Sequence, residues 1–164
     1  MQVTMRGKPI TLVGQPVEVG QDAPDFLVVD TDFNPVTLKD TAGVRIFASV
    51  PSLDTGVCDA EARRFEQEAA GLDGVSVYVI SMDLPFAQRR WCGAAGAERV
   101  KTLSDHRHAS FGQNYGVLIE EMRLLARAVF VVDAGNKIVY AEYVPEVTNH
   151  PNYEKALEAA RAAR

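Results

Sequence analysis

VRIFASVPSLDTGVCDAEARRFEQEAAGLDGVSVYVISM, residues Val44–Met82, decides how this chain folds. VRIFASV (Val44–Val50) is an apolar, β-branched run of the kind used by buried strands, and VSVYVISM (Val75–Met82) is a second. Between them, DAEARRFEQEAAG alternates charged and apolar residues at helical spacing and stops at Gly71. Strand, helix and strand in this order form a βαβ unit, which within one sheet requires parallel strands. PSLDTGVC (Pro51–Cys58) is the strand-to-helix junction and ends in one of only two cysteines. Asp54 or Thr55 is the expected N-cap, so Cys58 falls in the first helical turn. Unpaired backbone N–H groups and the positive end of the helix dipole favour an anion there, and a thiolate is such an anion.

On the C-terminal side, DLPFAQRRWCG (Asp83–Gly93) predicts a helix capped by Asp83 with Pro85 in its first turn. Cys92 lies near its end, where Gly93 and Gly96 make unwinding easy. VKTLSD predicts a short strand, and HASFGQNYGV a short helix or turn closed by Gly116. LLARAVFVVDAGNKIVYAEYV reads as a hairpin about Asp133–Asn136, and NYEKALEAARAAR as a helix with Tyr153, Ala156, Leu157 and Ala160 on one face. On the N-terminal side, QVTM and ITLVG make a hairpin over about residues 1–14 that turns at Arg6–Pro9, followed by short strands near FLVV and VTL. The order of elements predicts an α/β fold, a central mixed sheet flanked by helices on both faces with an added N-terminal hairpin.

At 164 residues and 47% hydrophobic, the chain suits one domain over 1–164 with a substantial core. A net charge of -5 gives no broad basic face, which argues against nucleic acid as a partner. No apolar run nears the roughly 20 residues of a membrane span, and the N-terminus lacks a signal peptide's layout. The expected location is therefore cytoplasmic, where two cysteines imply catalysis or sensing and not a structural disulfide. Asp105, His106 and His108 lack established zinc spacing and read as surface residues, and His150 as a loop residue; no metal or cofactor is indicated.

A thiol in the first turn of a helix after a buried strand is also found in redox proteins of the thioredoxin type. Their Cys-x-x-Cys is absent, because the second cysteine is 34 residues further on. Pro51, Thr55 and Cys58 match the P-x-x-x-T-x-x-C signature of the peroxiredoxins. The strings PSLDTGVC, DLPFAQRRWCG and LLARAVFVVD together resemble the bacterial thiol peroxidase subfamily over nearly the whole chain. That resemblance implies a thioredoxin-like fold, an atypical two-cysteine peroxidase acting on hydrogen peroxide and alkyl hydroperoxides, a homodimer, and thioredoxin as reductant. It further implies that Cys58 is the peroxidatic cysteine and Cys92 the resolving one, joined in a redox disulfide, with Thr55 and Arg127 as active-site partners.

Chemistry independent of the resemblance gives these residues roles. An ordinary thiol, with a pKa near 8.5, is only about 3% thiolate at pH 7, so a peroxide-reducing cysteine needs a stabilised anion. Arg127, in an otherwise apolar run, brings a permanent cation with a fork of donors; its bland alternative is a strand-end arginine reaching for solvent. Thr55 offers a hydroxyl, compatible with a plain cap. Backbone N–H groups of Val57 and Cys58 are placed to stabilise the leaving oxygen. Pro51 and Val57 are expected to shape the pocket, with Phe86 and Trp91 as an apolar wall, while Phe47 reads as core. Asp59 and Glu61 oppose a thiolate if they face it, and are expected to point to solvent. Two other classes stay open: a disulfide reductase, disfavoured without Cys-x-x-Cys, and a non-enzymatic redox sensor or interaction module using the same two thiols.

Overall fold

A computed structural model describes residues 2–164. The hairpin expected over about residues 1–14 begins at Met1, which lies outside the described residues. Its strands are β1 (Val3–Met5) and β2 (Lys8–Ile10), paired antiparallel with Met5 opposite Lys8. The bend is therefore only Arg6–Gly7, and Lys8 and Pro9 belong to the second strand instead of the turn. Both bend residues have positive φ, 51° and 77°, the backbone a two-residue hairpin needs to match strand twist. β3 (Leu12–Val13) leaves the hairpin to pair with β9 (Leu118–Ile119), which also pairs with β10 (Leu124–Leu125).

Seven strands form the main sheet. β4 (Leu27–Val29) and β5 (Pro35–Thr37) supply one edge, followed in the chain by β6 (Val44–Ser49), helix α1 (Gly56–Ala69) and β7 (Val75–Ser81). Helix α2 (Pro85–Ala95), β8 (Val100–Ser104) and the short helix α3 (Ser110–Asn114) come next. β11 (Ala128–Val132), β12 (Ile138–Tyr143) and helix α4 (Tyr153–Ala163) complete the chain. The strand order is β12-β11-β6-β7-β8-β4-β5. β6, β7 and β8 run parallel, joined by the α1 and α2 crossovers, and their outer neighbours are antiparallel. This mixed sheet is the arrangement that the βαβ reading required.

Side chains of β6 alternate between two cores, as strand geometry dictates. Ile46 and Ala48 pack with Ala62 and Phe65 of α1 and with Ala156 and Leu157 of α4 on one face, where Trp91 of α2 also lies. Phe47 points the other way, against Phe26, Tyr78 and Phe111 of α3. Helices thus cover both faces, and the parallel strands direct their C-terminal ends toward the loops that open α1 and α2. Among the described residues no helix is long and apolar enough to cross a membrane.

Candidate active site

The site is built where β6 ends. After Val50, whose N–H donates to the Ile80 carbonyl, the chain turns through Pro51–Thr55 into α1. Neither expected cap serves as one. Thr55 occupies the N-cap position, but its hydroxyl donates to the Ser52 carbonyl at 2.9 Å instead of accepting from the helix. Asp54 accepts from Arg90 on α2 at 3.0 Å. The first intrahelical bond runs from the Asp59 N–H to the Thr55 carbonyl, so the N–H groups of Gly56, Val57 and Cys58 precede the helical ladder. The helix end keeps its positive character and Cys58 sits within it.

Cys58 is 0% exposed, and its sulfur accepts a hydrogen bond from Arg127 Nη2 at 3.2 Å. Arg127 stands immediately before β11 and is itself only 2% exposed. Each of its nitrogens has a separate acceptor: Nη1 donates to Glu61 Oε1 at 2.8 Å and Nε to the Val147 carbonyl at 2.8 Å. The guanidinium is therefore held in one plane and aimed at the sulfur. It is not a strand-end side chain reaching for solvent.

Glu61 corrects the expectation that the acidic residues of the first turns face solvent. It is 0% exposed, one helical turn after Cys58 and on the same face. Burial pushes its carboxyl up to about 7 against the opposing pull of Arg127, and its Oε2 has no hydrogen-bond partner. The spacing of three residues was the available signal, since positions i and i+3 share a helix face. Burial pulls Arg127 down, yet Glu61 and Cys58 outweigh it and hold the guanidinium firmly protonated. Asp59 is half-buried and also not simply solvated; it accepts from Trp91 Nε1 at 2.7 Å and pairs with Arg63.

Around this array opens a cavity of about 690 Å³, bordered by Pro51, Thr55, Val57 and Arg127. Its other walls were not foreseen: Met5, Lys8 and Ile10 of the hairpin, Met122 and the β10 residue Leu124, and Val147 and Thr148 before α4. Phe86 and Trp91 are not among the lining residues. Phe86 is 71% exposed on the outer side of α2, against Phe33, and Trp91 is buried between α1 and the sheet. Phe86 is turned out to solvent and Trp91 packs on the α1 side of the sheet with its indole bonded to Asp59, whereas the cavity opens toward the hairpin and the loop before α4. Phe47 is core, as read.

Cys92 lies in the last turn of α2, half-buried, with its sulfur 3.6 Å from Thr102 Oγ1 on β8. Both cysteines are free thiols. Gly96 closes α2 in the left-handed conformation at φ 64°. Asp83, expected to cap α2, instead takes three donors from elsewhere: Ser52 Oγ, Leu53 N–H and Ser81 Oγ, at 2.7, 2.8 and 2.7 Å. Leu84 holds the cap position, with Pro85 first in the helix. Asp83, Arg90 and Trp91 thus tie the two cysteine-bearing segments together.

The other polar cluster departs from its reading at Asp105 and at His106, which is half-buried. Asp105 is fully buried, where its carboxylate accepts the N–H groups of Phe111 and Gly112 in α3; burial pushes it up to about 6 against those bonds. His108 is exposed and His150 lies in a loop, bonded to the Tyr153 hydroxyl. Among the described residues no three His, Cys, Asp or Glu side chains converge to hold a cation.

Comparison with known proteins agrees with this geometry. The Redoxin family model matches residues 18–157. The chain is 61% identical over 162 residues to the thiol peroxidase of Halalkalibacterium halodurans, covering 98% of each chain. It is 60% identical over 162 residues to the thiol peroxidase of Bacillus subtilis, covering 98% of this chain and 97% of that one. Among solved structures, a peroxiredoxin-like protein from Aquifex aeolicus superposes with a TM-score of 0.93 at 40% identity, over 99% of this chain and 97% of the other.

Proposed function

The chain belongs to the redoxin family, and from that premise we propose how its residues divide the work of thiol-dependent peroxide reduction. It is a thiol peroxidase. The observation that carries the assignment of roles is the 3.2 Å contact between Arg127 Nη2 and the Cys58 sulfur, in the first turn of α1 and beside an open cavity.

Cys58 is the peroxidatic residue. Its thiolate attacks the terminal oxygen of a hydroperoxide in line, the O–O bond breaks, and the departing oxygen takes a proton to leave as water or an alcohol. Cys58 is left as a sulfenic acid. Arg127 stabilises first the thiolate and then the charge growing on the leaving oxygen, together with the first N–H groups of α1. The Thr55 hydroxyl, now turned to Ser52, lies at the same cavity wall and supplies a further polar contact for the peroxide. Pro51 and Val57 limit water beside the sulfur, and the apolar walls suit an organic substituent.

Cys92 is the resolving residue. Its thiol condenses with the sulfenic acid, releasing water and forming a Cys58–Cys92 disulfide. A disulfide requires Cα atoms within about 7 Å, whereas Cys58 contacts Arg127 ahead of β11 and Cys92 contacts β8, three strands away in the sheet. The first turn of α1 and the glycine-flanked end of α2 therefore unwind before the bond closes. An external dithiol, thioredoxin by resemblance, restores both thiols through a mixed disulfide. The same reading takes residues 1–164 as one domain, acting in the cytoplasm as a homodimer.

Steady-state peroxide consumption with a thioredoxin system tests it. Turnover abolished by Cys58→Ser, and a stable sulfenic acid trapped at Cys58 in Cys92→Ser, are the expected results. An undiminished rate in Cys58→Ser overturns the first role, and only intermolecular disulfides in the wild type overturn the second.

A further inference from the structure

Glu146 lies in the loop between β12 and α4, outside the array just described, yet its carboxylate collects more donors than a surface glutamate needs. From the hairpin it accepts Thr4 Oγ1 at 2.9 Å and the N–H groups of Arg6 and Gly7 at 3.1 and 2.9 Å. From its own loop it accepts the Thr148 N–H at 3.0 Å and the Thr148 hydroxyl at 2.6 Å. The Thr148 and Gly7 bonds hold the carboxyl far below the usual carboxylate range, as multiple N–H donors do.

The backbone around Glu146 repeats the connection. The Thr4 N–H donates to the Pro145 carbonyl at 2.8 Å and the Val147 N–H to the Thr4 carbonyl at 2.9 Å. Val147 is thus fixed through its own N–H and by bonds on both chain neighbours. Its carbonyl then receives Arg127 Nε at 2.8 Å. On the other arm, the two positive-φ residues of the hairpin bend turn their N–H groups toward this one carboxylate. Met5 and Lys8, which flank that bend, wall the cavity.

We propose that Glu146 is a positioning residue for peroxide reduction. Its carboxylate fastens the β1–β2 hairpin to the loop at 145–148, fixing both the Val147 carbonyl that aims Arg127 and the apolar wall that receives an organic hydroperoxide. The proposal rests on the roles given above to Cys58 and Arg127. It assigns Glu146 no contact with substrate; the residue acts through a carbonyl and a hairpin.

The test compares wild type with Glu146→Gln, which keeps shape but replaces a charged acceptor of several N–H bonds with an amide. Readouts are kcat and KM with hydrogen peroxide and with cumene hydroperoxide, and the rate of Cys58 alkylation by iodoacetamide. With hydrogen peroxide, kcat/KM is expected to fall about tenfold, the worth of one charge-assisted hydrogen bond, and alkylation to slow in step. With cumene hydroperoxide the fall is larger, the excess appearing in KM. A lower melting temperature with unchanged kcat/KM and unchanged alkylation means that Glu146 is only structural, and overturns the proposal. If Glu146→Gln does not fold, Thr4→Val and Thr148→Val each delete one donor and are expected to give the same pattern at about threefold; wild-type values in both overturn it. A wild type without turnover refutes the roles of Cys58 and Arg127 instead, so the two failures are distinguishable.

Discussion

Replacing Glu61 by glutamine should change how the stability of this protein depends on pH. A carboxyl held at about 7 in the folded chain, against an ordinary value of 4.5, binds its proton more tightly folded than unfolded. Protonation therefore favours folding: the stabilisation is complete below about pH 4.5, drains away as pH rises, and is gone above about pH 7. The difference of about 2.5 pH units corresponds to about 3 kcal/mol. Glutamine has no proton to lose, and its Oε1 still accepts from Arg127 Nη1. Urea unfolding of the reduced proteins, followed by far-UV circular dichroism between pH 4.5 and 8, reads the effect. Relative to Glu61→Gln, the wild type should lose about 3 kcal/mol across that range, a relative midpoint displacement of about 1–2 M urea at an ordinary slope. Subtracting the two curves removes the titration of the groups that touch neither Glu61 nor Arg127. Parallel curves, agreeing within about 0.5 kcal/mol after a constant offset, refute the buried, proton-hungry carboxyl and with it the shared-cation arrangement. The same variant leaves Arg127 with one anion to serve instead of two, so iodoacetamide should alkylate Cys58 faster than in the wild type.

Other substitutions probe the remaining contacts. Arg127→Lys keeps the charge but cannot reach three acceptors from one rigid fork; kcat/KM for peroxide should drop between about tenfold and a hundredfold, measured by reductant-coupled turnover. Asp83→Ala strands the donors of Ser52, Leu53 and Ser81. Urea unfolding should show a loss of about 2–3 kcal/mol, and stopped-flow should show faster disulfide closure because the first cysteine's loop is no longer tied down. Gly14 has φ 91°, and a Cβ there would lie 2.2 Å from the Gln113 carbonyl oxygen; Gly14→Ala should lower the melting temperature by roughly 5 °C in a thermal scan.

Much of the frame was legible because it is written locally. The apolar, β-branched runs of β6 and β7 and the helical spacing of α1 determine a βαβ unit without reference to anything distant, and the junction between them places a thiol at a helix start. The polar contacts were not legible, because their partners are remote. The run DAEARR reads as a solvated face until Glu61 meets Arg127, 66 residues away. Asp54, Thr55 and Asp83 all have cap chemistry, but each found a competing partner across the loop or on another element. Phe86 follows a proline near a helix start, where sequence gives no sign of which side of α2 meets the sheet. The hairpin's part in the cavity depends on bonds from Thr4 to Pro145 and Val147, a closure between chain ends that no local pattern encodes.

The chain holds a single tryptophan, and its placement makes the molecule its own optical reporter. The Trp91 indole is buried, it is next to Cys92 in the chain, and its N–H is bonded to Asp59, the neighbour of Cys58. In the Cys58–Cys92 cycle proposed above, the unwinding displaces the segments that carry both partners of that bond, and the expected result is that it breaks and opens the ring to water. Emission from this one fluorophore should therefore shift to the red on oxidation and return on reduction. That allows the peroxide-driven and dithiol-driven halves of the cycle to be timed separately without a label.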